Sequence, residues 1–112
     1  DINMANVLCD TENEHLGVLD FERASVGDGM LDLAKASWRI LHHDRGLTET
    51  LLGEYCGHVP TEQEWRRFAL ASMYECLGAV SYFAYEGYRK HYPFKDTAIS
   101  QLEYLCGGLW FS

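Results

Sequence analysis

The N-terminal part of the chain alternates short apolar runs with polar turns. Residues 6–9 and 16–19 are the two apolar runs, and the segment 10–14 between them consists of Asp, Thr, Glu and Asn. This pattern predicts a β-hairpin, because turn-forming residues between two short apolar runs are typical of one. Residues 22–30 contain two glycines and show no hydrophobic period, so we expect a loop there, with Asp28 capping the helix that follows.

From Leu31 onwards, apolar residues recur every three to four positions, which predicts helices. The four predicted helices cover about residues 31–41, 47–55, 61–91 and 95–106. Pro60 and Pro93 interrupt the pattern on either side of the third helix. His42 and His43 are interpreted as the C-terminal cap of the first helix, because cations suit that end of a helix.

The third predicted helix opens with a capping box, in which the Thr61 hydroxyl accepts from a backbone amide and Glu64 reaches back to the cap. Its spacing of apolar and small residues predicts one buried stripe. The members of this stripe are Trp65, Phe68, Ala69, Ser72, Met73, Cys76, Leu77, Val80 and Phe83. The fold class predicted from these elements is mainly α with a short β-hairpin, an α+β arrangement. Because two strands alone are marginal, the hairpin should lie on the helices or belong to a larger protein.

Composition narrows the class of function. The chain has 112 residues, 47% of them apolar, and carries 17 acidic against nine basic residues, a formal net charge of −8. One core of ordinary size is expected. The negative charge argues against a nucleic-acid partner and would attract a cationic small molecule, although ordinary solubility is the more common reason for such a charge. No apolar run approaches the roughly eighteen residues of a membrane span, so we expect no membrane partner and a cytoplasmic protein.

Three separated residues form the candidate chemical site. Asn6 follows Asp1 by five residues, and Asp20 ends the second apolar run. Phosphoryl transfer from a nucleotide needs a carboxylate that accepts the proton of the attacking hydroxyl, and an amide oxygen with a second carboxylate that hold magnesium. Each residue alone has an ordinary explanation, as a chain end, a turn residue and a loop-entry residue. Their joint order favours the chemical interpretation.

The segments that carry these residues resemble the aminoglycoside phosphotransferase and choline kinase-like family, a branch of the protein-kinase-like fold. The resemblance lies in residues 1–8 (DINMANVL), 17–22 (GVLDFE) and 27–34 (GDGMLDLA). It implies that Asp1 is the catalytic base and that Asn6 and Asp20 are magnesium ligands. It also implies that Asp28 and Asp32 support the site by tying the metal loop to the first helix.

The same resemblance implies a C-terminal lobe with two parts. Residues 1–30 would form the catalytic loop, the hairpin and the metal-binding loop, and residues 31–112 the helical, substrate-binding region. The chain shows no Gly-rich phosphate loop and no early lysine suited to ATP. We therefore expect the N-terminal nucleotide lobe to be a missing partner, most of the ATP site to lie on it, and this chain alone to be inactive.

Carboxylates and tyrosines of the third helix are candidate substrate-binding residues. Glu75 and Glu86 are about three turns apart and near one face, with Tyr82 between them. Such side chains could bind the ammonium groups and rings of a polyamine or an amino sugar. The alternative is an aromatic core with a solvated acidic edge.

Two functions from different classes remain. The first is an ATP- and Mg²⁺-dependent phosphotransferase that acts on a hydroxyl of a small, possibly cationic molecule. An aminoglycoside is the first choice, which would make the protein an antibiotic-resistance enzyme, and choline, an amino sugar or another alcohol remains open. The second is a non-catalytic helical module that kept the motif by descent. A protein kinase is disfavoured, because no Ala-Pro-Glu follows Asp20 and the helices begin too soon for an activation loop.

Overall fold

The computed structural model describes residues 2–85 and 92–107, without the side chains of residues 83, 85 and 92–95. A short 3₁₀ turn (Met4–Asn6) leads into strands β1 (Val7–Asp10) and β2 (His15–Val18), and the helices are α1 (Met30–Arg39), α2 (Arg45–Cys56), α3 (Glu62–Tyr85) and α4 (Tyr92–Cys106). The described chain is therefore mainly helical with one two-stranded antiparallel sheet, as the pattern predicted. None of the described helices is long and apolar enough to cross a bilayer.

The hairpin is held by its own turn and by a short ladder. Val7 pairs with Val18, and Asp10 pairs with His15 at the turn end. The Asp10 carboxylate accepts hydrogen bonds from the Asn13 side chain and from the backbone amides of Asn13 and Glu12. These bonds, that of the Asn13 side chain first, lower the pKa of Asp10. The hairpin does not lie on the helices: every residue from 8 to 28 is exposed.

The hydrophobic core belongs to the helices. Its buried residues come from all four: Met30, Ala34 and Trp38 of α1, Leu52 of α2, Trp65, Phe68, Ala69, Ala71 and Cys76 of α3, and Ala98 and Leu105 of α4. Trp65 and Phe68 meet edge to face with ring centroids 5.9 Å apart, a favourable aromatic geometry. A buried hydrogen bond of 2.7 Å between the Ser37 and Thr48 hydroxyls joins α1 to α2.

The predicted stripe of α3 is correct at its centre and wrong at one position. Leu77 is 59% exposed, because α1 and α4 cover the side of α3 that carries Cys76, and successive helical residues point about 100° apart. The side chain of Phe83 lies outside the described residues.

The start of α3 confirms the predicted capping box. The Glu64 carboxylate accepts from the Thr61 amide at 2.8 Å, and the Glu64 amide donates to the Thr61 hydroxyl at 3.3 Å, which is the predicted capping box. Gly57 ends α2 with φ 76°, a left-handed conformation that glycine adopts without steric cost. Asp28 acts at the start of α1, where its carboxylate accepts from the Met30 amide at 3.0 Å.

The two adjacent histidines do not cap α1 as cations, which corrects the interpretation above. The helix ends at Arg39, and His42 and His43 both have positive φ, 51° and 60°, in the connection to α2. The backbone amide of His43, not its ring, donates to the Ser37 carbonyl at 2.9 Å. Burial, with a smaller effect of His42, lowers the pKa of His43 to about 4, so the ring is neutral near pH 7.

Candidate functional site

The hairpin brings Asn6 and Asp20 to the same end of the sheet. Beyond the Val7–Val18 pair, the Leu19 amide donates to the Asn6 carbonyl at 2.8 Å, which extends the ladder by one residue. Asp20 follows at once. The 3₁₀ turn before Asn6 is closed by Asn3, whose side chain accepts from the Ala5 amide at 2.9 Å. Asn6 and Asp20 are fourteen positions apart in the sequence, but this hydrogen bond brings their backbones close together. Asn6 accepts the bond, and Asp20 directly follows its donor, Leu19.

Asp20 adopts an uncommon backbone conformation. Its φ is 66°, in the left-handed region that residues other than glycine adopt rarely and that Asp tolerates better than most. Such conformations have an energetic cost and are concentrated at functional sites. The turn at Asp20 takes the chain out of the ladder and towards the helices.

A cleft of about 550 Å³ lies between the segment after β2 and one side each of α1 and α3. Asp20 is at its hairpin end, and Glu75 and Tyr82 of α3 line its opposite wall. The residues that complete the lining are Glu22, Arg23, Lys35, Trp38, Arg39, Tyr74, Gly78 and Ala79. The cleft therefore joins a candidate magnesium ligand to two of the candidate substrate-binding residues.

Glu75 is the half-buried carboxylate of this cleft. Burial raises its pKa, the charge of Asp32 raises it further, and the nearby Lys35 ammonium opposes the rise. A cation bound beside Glu75 would restore the preference for the charged form. The position of this carboxylate suits recognition of an ammonium group.

Asp28 and Asp32 lie outside the lining of the cleft. Besides its bond to the Met30 amide, Asp28 accepts from the Arg67 guanidinium at 2.9 Å, and the two contacts lower its pKa, the amide contact more. This ion pair ties the end of the loop to α3. Asp32 is exposed in the first turn of α1 and acts on the cleft through its charge at Glu75.

A comparison with protein families decides the class of protein. The model of the phosphotransferase enzyme family matches residues 1–70, which include the hairpin, the Asp20 turn and the helices α1 and α2. The chain belongs to the phosphotransferase enzyme family. This confirms the resemblance to the aminoglycoside phosphotransferase and choline kinase-like proteins. Searches among curated proteins and among solved structures gave no significant match.

Membership of the phosphotransferase enzyme family indicates the general type of reaction. A phosphotransferase of this kinase-like family is a transferase, and such enzymes in general use ATP and Mg²⁺. The donor set at the hairpin end fits magnesium, because Asn6 and Asp20 offer one amide and one carboxylate oxygen. Mg²⁺ is usually held by one or two protein oxygens together with substrate phosphates and water. Within the described residues, no group of three or more His, Cys, Asp or Glu forms a fuller metal cage.

Two predicted site residues of the phosphotransferase are not described. Asp1, the predicted catalytic base, and Glu86, a predicted substrate residue, lie outside the described residues. Their roles stay predictions. The structure brings together Asn6 and Asp20 at the hairpin end, and Asp20, Glu75 and Tyr82 around the cleft.

Sequence reasoning missed the wall that α1 contributes. Lys35, Trp38 and Arg39 line the cleft, and their spacing of three and four positions on α1 was the signal that places them on one face. Tyr74 was also missed, although it precedes Gly78 and Tyr82 at intervals of four. The periodic pattern of α1 was attributed to the core alone, and Tyr74 was not included in the candidate face of α3.

Proposed function

We propose that this phosphotransferase moves the γ-phosphoryl group of ATP to a hydroxyl of a small, amine-bearing acceptor, such as an aminoglycoside, an amino sugar or choline. The observation that supports it most is the hydrogen bond from the Leu19 amide to the Asn6 carbonyl. That bond places Asn6 and Asp20 side by side at the hairpin end, and Asp20 borders the cleft. This arrangement supports the proposal, because one candidate magnesium ligand, Asp20, borders a cavity of acceptor size.

The reaction needs a base that takes the proton of the acceptor hydroxyl and a site that holds the phosphates of ATP. The acceptor oxygen attacks the γ-phosphorus, an O–P bond forms, the bond from that phosphorus to the β–γ bridging oxygen breaks, and ADP leaves. In our proposal the Asp1 carboxylate takes the hydroxyl proton. Asn6 and Asp20 would hold the Mg²⁺, which neutralises phosphate charge when it is bound. The Asp28–Arg67 pair would keep the loop after Asp20 close to α3.

The acceptor would occupy the cleft between α1 and α3. Glu75 would receive the ammonium group, which is favourable because the half-buried carboxylate gains a partner for its charged form. Tyr74 and Tyr82, one helical turn on either side of Gly78, would offer rings to the ligand. The acceptor hydroxyl would then point to the Asp20 end of the cleft.

Magnesium-dependent transfer from ATP tests the proposal. The natural full-length protein is assayed with an aminoglycoside, glucosamine and choline, and compared with Asp20→Asn and Asp1→Ala. We expect transfer by the wild type and a loss of at least about a hundredfold in kcat for Asp20→Asn, since charge stabilisation at phosphate is removed. Glu12→Gln, an exposed carboxylate at the other end of the hairpin, is the control and should keep full activity.

The same experiment decides between a phosphotransferase and a non-catalytic helical module. If the wild-type protein neither binds ATP nor transfers phosphate, the phosphotransferase proposal is wrong and the chain is a non-catalytic module. If Asp20→Asn and Glu12→Gln behave alike, the activity does not depend on the hairpin-end site.

A further inference from the structure

The charges of the cleft differ in balance from those of the whole chain. The chain has a formal net charge of −8, yet the described residues that line the cleft include three carboxylates and three cationic side chains. They are Asp20, Glu22 and Glu75 against Arg23, Lys35 and Arg39. Among the described residues, the lining of the cleft therefore carries no acidic surplus.

Burial shifts this balance towards the cations. Asp20, Glu22 and Arg23 are exposed, whereas Glu75, Lys35 and Arg39 are partly buried. Charges that are partly removed from water interact more strongly with a ligand than exposed ones do. If Asp20 is used for magnesium, as proposed above, the partly buried charged side chains in the described lining are one carboxylate and two cations.

The two cations are arranged as a pair. Lys35 and Arg39 are four positions apart on α1, so they lie on the same face about one turn from each other. The Arg39 guanidinium lies 5.2 Å from the ring centroid of Trp38, which limits its orientation. Glu75 is on the opposite wall, on α3, close enough for the Lys35 charge to affect it. The described lining thus holds a carboxylate on α3 and two cations on α1.

We propose that the acceptor is a hydroxylated amine that also carries an anionic group, with the ammonium at Glu75 and the anionic group at Lys35 and Arg39. This inference rests on the proposed phosphotransferase function and replaces the simple amines named there as acceptors with amines that also carry an anionic group. A polycation such as an aminoglycoside would place amino groups beside two partly buried cations, which is unfavourable. A guanidinium and an ammonium together bind a carboxylate or a phosphate well. Both anions share this chemistry, and the experiment separates them.

Matched pairs of acceptors test the inference on the natural full-length protein. Serine against ethanolamine isolates a carboxylate, phosphorylated glucosamine against glucosamine isolates a phosphate, and kanamycin represents the polycations. We expect kcat/KM for the anionic member of at least one pair to exceed that of its partner by about tenfold or more, since a charge-assisted bond is added. The pair that shows the preference identifies the anionic group. A higher kcat/KM for kanamycin, or no preference in either pair, overturns the inference.

Variants of the two cations show whether they carry the preference. Lys35→Gln and Arg39→Gln should each reduce the preference about tenfold through a higher acceptor KM, with the KM for ATP unchanged. Lys35→Arg should restore most of it. Arg66→Gln is the control, because Arg66 is exposed on α3 and pairs with Glu62 outside the cleft. A preference that survives both Gln variants, or a rise in the KM for ATP instead, would show that these cations do not bind the acceptor's anionic group.

The activity and the charge preference can fail separately. Titration calorimetry of the same pairs measures binding without turnover. If no acceptor is phosphorylated but the anionic members still bind about tenfold tighter, the proposed function is wrong and the charge assignment of the cleft holds. If both members of each pair bind with equal affinity, the inference is wrong, whether or not the acceptors are phosphorylated.

Discussion

The hairpin region, residues 2–29, and the helical region, the described residues from 30 to 107, are built on different principles. In the hairpin region every residue from 8 to 28 is exposed, and the structure there comes from backbone hydrogen bonds and a turn. In the helical region four helices bury a shared core. The candidate magnesium ligands lie in the first region and the buried side chains in the second. Stability and the proposed chemistry should therefore respond to different substitutions.

The largest effect is expected from the same substitution placed in the two regions. Phe68 is 1% exposed and contacts Trp65, whereas Phe21 is 66% exposed next to Asp20. Phe68→Ala should lower the free energy of unfolding by about 3–5 kcal/mol, because it removes a buried ring and leaves a cavity. Phe21→Ala should change it by less than about 0.5 kcal/mol, as is usual for exposed positions. Urea denaturation followed by circular dichroism measures both.

An equal loss of stability in the two variants would contradict the comparison, since it would mean that Phe21 packs on a core. Phosphate transfer provides a second measurement for this comparison. Phe21→Ala should lower the rate of phosphate transfer and leave the free energy of unfolding nearly unchanged, because residue 21 follows the proposed metal ligand.

A smaller effect is expected from the buried hydroxyl pair of the helical region. Thr48→Val removes one member of the 2.7 Å Ser37–Thr48 bond and leaves the Ser37 hydroxyl buried without that partner. The free energy of unfolding should fall by about 1–3 kcal/mol. Thr50→Val is the matched control on the same helix, because its hydroxyl is exposed and donates only to the Gly46 carbonyl. If Thr50→Val costs as much, the exchange of a helical hydroxyl for a methyl, and not the loss of the buried bond, is responsible.

These contrasts show which features could be predicted from the sequence. The hairpin, the capping box at Thr61 and the joint position of Asn6 and Asp20 depend on neighbours close in sequence or on one antiparallel pairing. Turn chemistry, short apolar runs and capping rules describe such local features directly.

The α1 wall of the cleft could not be predicted in the same way. Which face of α1 meets α3 depends on tertiary packing, which the periodic pattern does not specify, so Lys35, Trp38 and Arg39 could not be assigned to the cleft. The His42–His43 connection was misread for a related reason. Their composition indicated a cationic cap, but burial of His43 against the helices decides its charge.

The pH dependence of stability tests this burial. The pKa of His43 is about 4 in the folded protein, against an ordinary value of 6.5. Between these values the unfolded state binds more protons, so stability should fall as the pH drops from about 6.5 to about 4. His43→Asn, which suits a positive φ, should remove that part of the pH dependence.

His42→Asn is the control, because His42 has the same backbone conformation and is exposed. Thermal unfolding at several pH values should show a flatter curve for His43→Asn alone. A curve that flattens equally in both variants would mean that backbone conformation, and not burial of the ring, causes the acid sensitivity.

The smallest effect should come from the ion pair that joins the two regions. Arg67 of α3 donates to Asp28 at 2.9 Å, and both side chains are about half exposed, so Arg67→Gln should lower the melting temperature only slightly. Because the folded pKa of Asp28 is lowered, the stabilisation is present above its unfolded pKa and is lost as the pH falls through the folded value. Arg66→Gln, the neighbouring exposed arginine, is the control.

Hydrogen exchange separates the regions in this last variant. In Arg67→Gln we expect faster exchange of the amides of Met30 and Leu31, where the loop meets α1, and unchanged protection in the centre of α3. The reason is that the pair positions the loop and contributes little to the helical core. If the centre of α3 loses protection as well, Arg67 supports the core and the two regions are not energetically separate. If neither region changes and activity is kept, the loop after Asp20 is held by its backbone contacts alone.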